Sequence, residues 1–170
     1  EGKQKYLTEA TLLIDTMKSR LDELFIVKPK ADLTVKAVEA FREESASGAS
    51  YQSATPDGSR PGIFYVNTYD LSARPNWAVE SLFLHEAAPG HHFQLSIQQE
   101  LEGLPKFRRF GGETAYIEGW GLYAESLGKE LGVYTDPYQY FGMLGMEMHR
   151  AIRICLPLPA SAKAISITAE

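Results

Sequence analysis

The residues of this chain best suited to chemistry stand close together near its middle. Three of its four histidines, His85, His91 and His92, fall within a short stretch that also contains Glu86. Neutral imidazoles bind divalent metal ions, and a neighbouring carboxylate can accept a proton from water that the metal activates. The pattern therefore predicts a hydrolytic site built around Zn²⁺.

The spacing of these histidines leaves the second metal ligand open. In the common zinc-hydrolase motif, two histidines lie four residues apart on one helical face, but the fourth residue after His85 is Pro89. In an unbroken helix, His92 would share a face with His85 but lie about 10.5 Å further along the axis. Two ligands at roughly 2.1 Å from one ion cannot be so far apart. We therefore expect a break at Pro89 that brings His91 or His92 back toward His85.

Glutamates are the candidates for the general base and for the third metal ligand. Glu86, next to a ligand, is awkwardly placed to bind the same ion and well placed to act as the general base. A catalytic zinc usually has three protein ligands, and Glu118 and Glu125 are the candidates for the third. Seven residues apart on a helix, they share a face but differ by about 10.5 Å in height. We assign Glu118 as the ligand and Glu125 as a residue that orients a histidine, with a surface charge as the alternative.

Further polar residues are candidates for catalysis and substrate binding. Tyr123, or Tyr116, is able to donate to a developing oxyanion, although packing is the more common role of such residues. Arg150 and Arg153 lie three residues apart on a predicted helix and are able to clamp a substrate carboxylate. The alternative for the arginines is a salt bridge with one of two acidic residues, Glu147 or Asp136.

The elements that position these residues are mostly helical. Apolar spacing, helix-forming residues and proline positions predict five helices, at 7–25, 77–88, 91–101, 114–131 and 137–154. Strands are predicted at 33–38 and 62–68, and the turn-rich segment 48–61 reads as a loop or hairpin connection. The predicted class is mainly α (α+β), with a small sheet or hairpin before the metal-binding helix. The strand at 62–68, which carries Tyr65 and Asn67, either offers an edge to an extended peptide or is a structural core strand.

Composition bounds the fold and the partners. The chain has 170 residues, of which 44% are hydrophobic and 23% charged, as expected for one globular core. Its net charge of −5 gives no basic surface for nucleic acid. Cys155 is the single cysteine, so an intrachain disulfide and a cysteine metal cluster are both excluded. No apolar run is long enough to span a membrane.

Two motifs carry a resemblance to a known family. Residues 85–94 read HEAAPGHHFQ and residues 118–125 read EGWGLYAE. They resemble the marks of a bacterial family of zinc metallopeptidases catalogued as domain of unknown function 885, namely His-Glu-x-x-Pro-Gly-His-His-x-Gln followed by Glu-Gly-Trp-x-x-Tyr-x-Glu. Such proteins resemble the helical gluzincin peptidases. The resemblance implies a peptide substrate and Zn²⁺, favours His91 over His92, and supports Glu118 as the third ligand.

The resemblance also suggests how this chain relates to a longer protein. Family members are several times longer and often carry export signals, which implies that residues 1–153 are a partial catalytic domain. It also implies that the parent protein resides in the bacterial periplasm or cell envelope, with the cytoplasm as the alternative. Residues 154–170 depart from the family pattern, and we hypothesise truncation or a changed reading frame there, which resequencing the encoding DNA tests. The alternative to hydrolysis is therefore an inactive metal- or peptide-binding fragment of the same fold.

Overall fold

The structure is a computed structural model that describes residues 2–73 and 75–155, the last two through their backbone only. It confirms the mainly α (α+β) class: six helices accompany one three-stranded sheet in this part of the chain. The helices are α1 (Gly2–Arg20), α2 (Val79–Glu86), α3 (His91–Glu100), α4 (Lys106–Phe110), α5 (Thr114–Leu127) and α6 (Pro137–Cys155). The strands are β1 (Leu33–Ala37), β2 (Ala49–Gln52) and β3 (Gly62–Val66).

Helix α1 presents the predicted apolar stripe to the core. Ala10, Ile14 and Met17 are buried, and Leu21 continues the stripe in a 3₁₀ turn that follows the helix. The helix begins at Gly2 and ends before the predicted boundary, since the segment after Arg20 tightens into that turn. Burial of this face against the rest of the core holds α1 in place.

The sheet has the order β1-β3-β2, with β3 in the centre. Strand β1 pairs with β3 in parallel, and β2 pairs with β3 antiparallel. The segment 48–61 therefore contains a strand that the sequence did not predict, and only its later part is the connection of a β2–β3 hairpin. The segment is rich in turn-forming residues, and the four residues of β2 are too few to show an alternating pattern.

The central place of β3 overturns one prediction. A strand accepts an added peptide through unpaired backbone groups at a sheet edge, but β3 has a hydrogen-bonded neighbour on each side. The segment 62–68 is therefore a structural core strand. Peptide addition along it is wrong as a mode of substrate binding.

Helix α2 packs against the sheet and carries the His85–Glu86 pair. Phe83 and Leu84 on this helix are fully buried, and the Phe83 ring meets that of Phe64 from β3 edge-on, with centroids 4.8 Å apart. Helix α5 packs on α2 as well. The sheet therefore supports α2 while α5 supplies the residues that face its C-terminal end.

Several boundaries differ from the predictions in detail. The predicted helix at 77–88 is a 3₁₀ turn (Asn76–Ala78) followed by α2, and α5 ends before 131, at Leu127. Helix α4 was not predicted, since it has only five residues. No described helix combines the length and the apolar character that crossing a bilayer requires. Of the atypical tail proposed at 154–170, residues 156–170 lie outside the described part of the chain.

Candidate metal centre

A sharp break separates the two helices of the histidine motif. Helix α2 ends at Glu86, the Ala88–Pro89 peptide bond is cis, and α3 begins at His91. Gly90 is required here, because a Cβ at this position would lie 1.8 Å from the carbonyl oxygen of His85. The predicted break at Pro89 is confirmed.

The break places one of the two alternative histidines beside His85. The rings of His85 and His91 meet edge-on with centroids 4.6 Å apart. His92 instead faces the sheet, where its Nδ1 lies 3.1 Å from the hydroxyl of Tyr51 and 3.4 Å from that of Ser96. Burial lowers the pKa of His92 to about 4, so this imidazole is a neutral part of the packing.

Glu118 on α5 faces both histidines of the pair. Its Oε2 lies 3.2 Å from His85 Nε2, and its Oε1 lies 3.7 Å from His91 Nε2. Ligand atoms bound at roughly 2.1 Å to a tetrahedral ion are about 3.4 Å from one another. The two observed separations, which end on different oxygens of one carboxylate, are close to that value, so Glu118 lies near both histidine nitrogens at distances that a shared ion allows.

Glu86 also lies within ligand reach. One ligand atom each from His85, Glu86 and His91 falls in a group whose members are all within 4.8 Å of one another. Two carboxylates thus lie near the histidine pair, Glu86 at the end of α2 and Glu118 on α5. Glu118 lies near a ring nitrogen of each histidine, which supports it as the ligand and leaves Glu86 available as a base.

The second ring nitrogen of His85 contacts a buried carboxylate. His85 Nδ1 lies 2.7 Å from Glu125 Oε1, and the Glu125 side chain is 4% exposed. Donation of the Nδ1 proton to this oxygen leaves the lone pair of a neutral imidazole on Nε2, the nitrogen that faces Glu118. Glu125 therefore lies where a residue that orients a metal-binding histidine is needed.

Arg150 reaches the same carboxylate from α6. Its Nη1 lies 2.8 Å from Glu125 Oε1 and 3.1 Å from Oε2. This pairing replaces the alternatives considered from the sequence, Glu147 and Asp136. Those two residues are closer in sequence, but the buried Glu125 on the neighbouring helix α5 is the carboxylate that forms an ion pair with Arg150.

Burial and charge set the protonation of the site. Burial acts to lower the pKa of His85, yet its hydrogen bond with Glu125 and the negative charges of Glu125 and Glu86 raise it. Burial raises the pKa of Glu86, helped by the charge of Glu118 and opposed by His85. Burial and the proximity of His85 lower the pKa of His91 to about 4. His91 is therefore neutral at pH 7, the form that binds a metal.

Two further residues of α5 have structural roles beside the site. A Cβ at Gly121 would lie 2.6 Å from His85 Nε2, so only glycine lets the imidazole lie against this helix. Trp120 donates from Nε1 to the carbonyl oxygen of Pro89 at 2.7 Å, which ties α5 to the chain break. Helical spacing held a signal for the first residue, because Glu118, Gly121 and Glu125 recur on one face.

The remaining predicted site residues lie outside this cluster. Asn67 is buried, and its side-chain amide donates to the backbone carbonyl oxygens of Glu43 and Ala46, which is a structural role. Tyr65 contacts Gln52 across the β2–β3 pair. Two further residues with predicted roles, Tyr123 and Arg153, are exposed to solvent.

The family of the chain follows from comparison of its sequence with known families. The model of a family described as bacterial protein of unknown function, DUF885, matches residues 1–157. The chain belongs to this family. The DUF885 description assigns no activity, and a search of curated proteins found no match.

A solved structure shows a similar fold. It is that of a candidate lipoprotein from Colwellia psychrerythraea, with 35% sequence identity and a TM-score of 0.85. The similarity covers 90% of this DUF885 chain and 26% of the other protein. The chain thus spans about a quarter of the length of that neighbour.

Proposed function

We propose that this DUF885 chain forms the core of a Zn²⁺-dependent hydrolase that cleaves peptide (amide) bonds. The observation that supports this proposal is the convergence of His85 Nε2, His91 Nε2 and the Glu118 carboxylate at separations suited to one ion. Nitrogen and carboxylate oxygen together are a common ligand set of catalytic zinc. When bound, Zn²⁺ supplies a Lewis acid for the scissile carbonyl and makes water a better nucleophile at neutral pH.

Glu86 is the general base in this proposal. A carboxylate oxygen of Glu86 accepts a proton as the water oxygen bonds to the carbonyl carbon. Glu86 then returns that proton to the amide nitrogen as the carbon–nitrogen bond breaks. Its pKa is raised by burial, which suits a group that must both accept and release a proton near neutral pH.

Other residues hold the substrate or orient a ligand. Glu125 fixes the orientation of His85 through Nδ1. Tyr123 on α5 is exposed and its ring contacts Trp120, with centroids 5.5 Å apart. We assign Tyr123 as a donor to the developing oxyanion and Arg153 as a contact for a substrate carboxylate.

Metal content and hydrolysis test these roles separately. We expect the purified chain to bind one Zn²⁺, and His85→Ala, His91→Ala and Glu118→Gln each to lose it. We expect Glu86→Gln to keep the metal and to lose activity on a fluorogenic peptide library by about 10²-fold or more. If Glu86→Gln loses the metal while Glu118→Gln keeps it, the two carboxylates have exchanged roles.

Matched controls make the result specific. His149→Ala removes an imidazole from an exposed position on α6 and is expected to keep the metal, while His92→Gln tests the alternative ligand directly. Unchanged metal content in the His85 and His91 variants would refute the site. Stoichiometric metal without chelator-sensitive cleavage would refute the peptidase activity and leave a metal-binding module of this fold.

We also propose a cell-envelope location for the protein that contains this core. The similar chain from Colwellia psychrerythraea is described as a candidate lipoprotein, which supports this location. Fractionation of the producing bacterium, with immunoblotting for the chain, tests it, and recovery only with cytosolic markers would contradict it.

A further inference from the structure

Among the described side chains of helix α6, Arg150 hydrogen-bonds to Glu125 beside the proposed metal centre. Near its start, α6 is held against α2, because Gln139 Nε2 donates to Glu80 Oε1 at 2.6 Å. A Cβ at Gly142 would lie 2.3 Å from the carbonyl oxygen of Trp77, so the backbones approach closely there. Eleven residues after Gln139, about 16 Å along the helix, Arg150 contacts Glu125.

The contact of Arg150 is with the oxygen that His85 uses. Glu125 Oε1 lies 2.7 Å from His85 Nδ1 and 2.8 Å from Arg150 Nη1, and Arg150 also contacts Oε2. One carboxylate thus joins a proposed metal ligand to an arginine of another helix. The three side chains form an unbroken chain of charge-assisted hydrogen bonds from α6 to His85.

Arg150 pairs with a carboxylate that is almost completely buried. The Glu125 and His85 side chains are 4% and 6% exposed, whereas Arg150 is 32% exposed. Burying a carboxylate is costly unless hydrogen bonds and a partner of opposite charge satisfy its oxygens, and such partners also fix its orientation. Among the described residues, Arg150 is the cation in contact with Glu125.

We infer that Arg150 is a positioning residue, which holds Glu125 so that His85 presents Nε2 to the metal, and that the docking of α6 thereby sets metal affinity. This inference rests on the proposed function. It assigns to Arg150 an action through Glu125 in place of the direct catalytic role predicted from the sequence. Loss of outer partners of a ligand commonly weakens metal binding by about 10- to 100-fold.

Metal affinity of Arg150 variants tests the inference. We expect the Kd of Zn²⁺, measured by competition with a chromogenic chelator, to rise about 10- to 100-fold in Arg150→Gln. Arg150→Lys keeps a charge near Glu125 and is expected to recover part of that loss. Arg42→Gln is the matched control, because it removes the same charge from an exposed ion pair with Glu39, and its Kd should stay within twofold of the parent.

A double variant and a metal-free readout separate positioning from folding. If Arg150 acts through Glu125, Arg150→Gln should weaken metal binding little further in a Glu125→Gln background. In the metal-free chain, at an alkaline pH where the His85 imidazole is neutral, long-range ¹H–¹⁵N NMR spectra should show His85 protonated at Nδ1 in the parent and a mixture of tautomers in Arg150→Gln.

The outcomes distinguish a failure of the proposed function from a failure of the positioning role of Arg150. A parent chain that binds no metal refutes the proposed function, whereas an unchanged Kd or an unchanged His85 tautomer in Arg150→Gln refutes the positioning role. Full additivity of the two substitutions refutes it as well. Thermal unfolding with chelator present identifies a variant that is merely unfolded, and the His85 tautomer in Arg150→Lys then decides the matter.

Discussion

Alanine at Gly121 tests whether the close approach of α5 to His85 determines the metal centre. The added Cβ would lie 2.6 Å from both Cε1 and Nε2 of the imidazole and 2.9 Å from Nδ1. Ordinary contacts between such atoms are about 3.5–4.0 Å. The ring or the helix must therefore move by about 1 Å.

Two effects of opposite sign act on stability in this variant. Alanine in place of glycine inside a helix stabilises the fold by about 1 kcal/mol, while overpacking a filled core costs about 1–3 kcal/mol. We expect the second effect to prevail, because His85 is 5% exposed and is held at Nδ1 by Glu125. The net change is a loss of up to about 2 kcal/mol in the free energy of unfolding.

The same substitution should also weaken metal binding. Coordination tolerates displacements of only about 0.2 Å, so a shift of His85 by about 1 Å is expected to weaken Zn²⁺ binding by 10-fold or more. Urea unfolding in chelator measures stability, and chelator competition measures the Kd.

Gly119→Ala supplies the matched control on the same helix. A Cβ at Gly119 would meet nothing within 4 Å, so this variant should gain up to about 1 kcal/mol and keep the metal. If Gly121→Ala gained the same stability and kept the parent Kd, the steric reasoning would be refuted, since His85 would not be confined by α5.

Two further substitutions test the elements that support the site. Trp120→Phe removes the hydrogen bond of Nε1 with the carbonyl oxygen of Pro89 and should cost about 1 kcal/mol of unfolding free energy in urea; an unchanged midpoint would show that this bond does not stabilise the chain break. Phe64→Ala empties a fully buried position between the sheet and α2 and should cost about 3–5 kcal/mol by the same assay. A loss below about 1 kcal/mol would mean that the sheet does not support α2.

Local sequence signals were sufficient to predict the longer helices, two of the three strands and the helix break at Pro89. The apolar stripe of α1 and the proline after Ala88 act through neighbouring residues, because helix periodicity and the geometry of proline are properties of the local chain. Five of the six described α-helices and the strands β1 and β3 were therefore predictable. Strand β2 was not, since a strand of four residues is stabilised by its partner rather than by its own pattern.

The identities of the interacting side chains depended on how distant segments pack. The motif named His85, Glu86 and a choice between His91 and His92, but spacing alone did not decide which imidazole turns toward the first. The backbone after Glu86 places His91 beside His85 and turns His92 to Tyr51. That outcome depends on the sheet, because Tyr51 on strand β2 contacts His92.

The partner of Arg150 was decided in the same way. Sequence proximity suggested Glu147 or Asp136, whereas the packing of α6 beside α5 supplies the buried Glu125. The sequence determined which residue types were available for a metal site and where helix α2 had to end, because both depend on residues that are close together along the chain. Tertiary structure decided which nitrogen meets which oxygen, because contacts between separate helices depend on how those helices pack together.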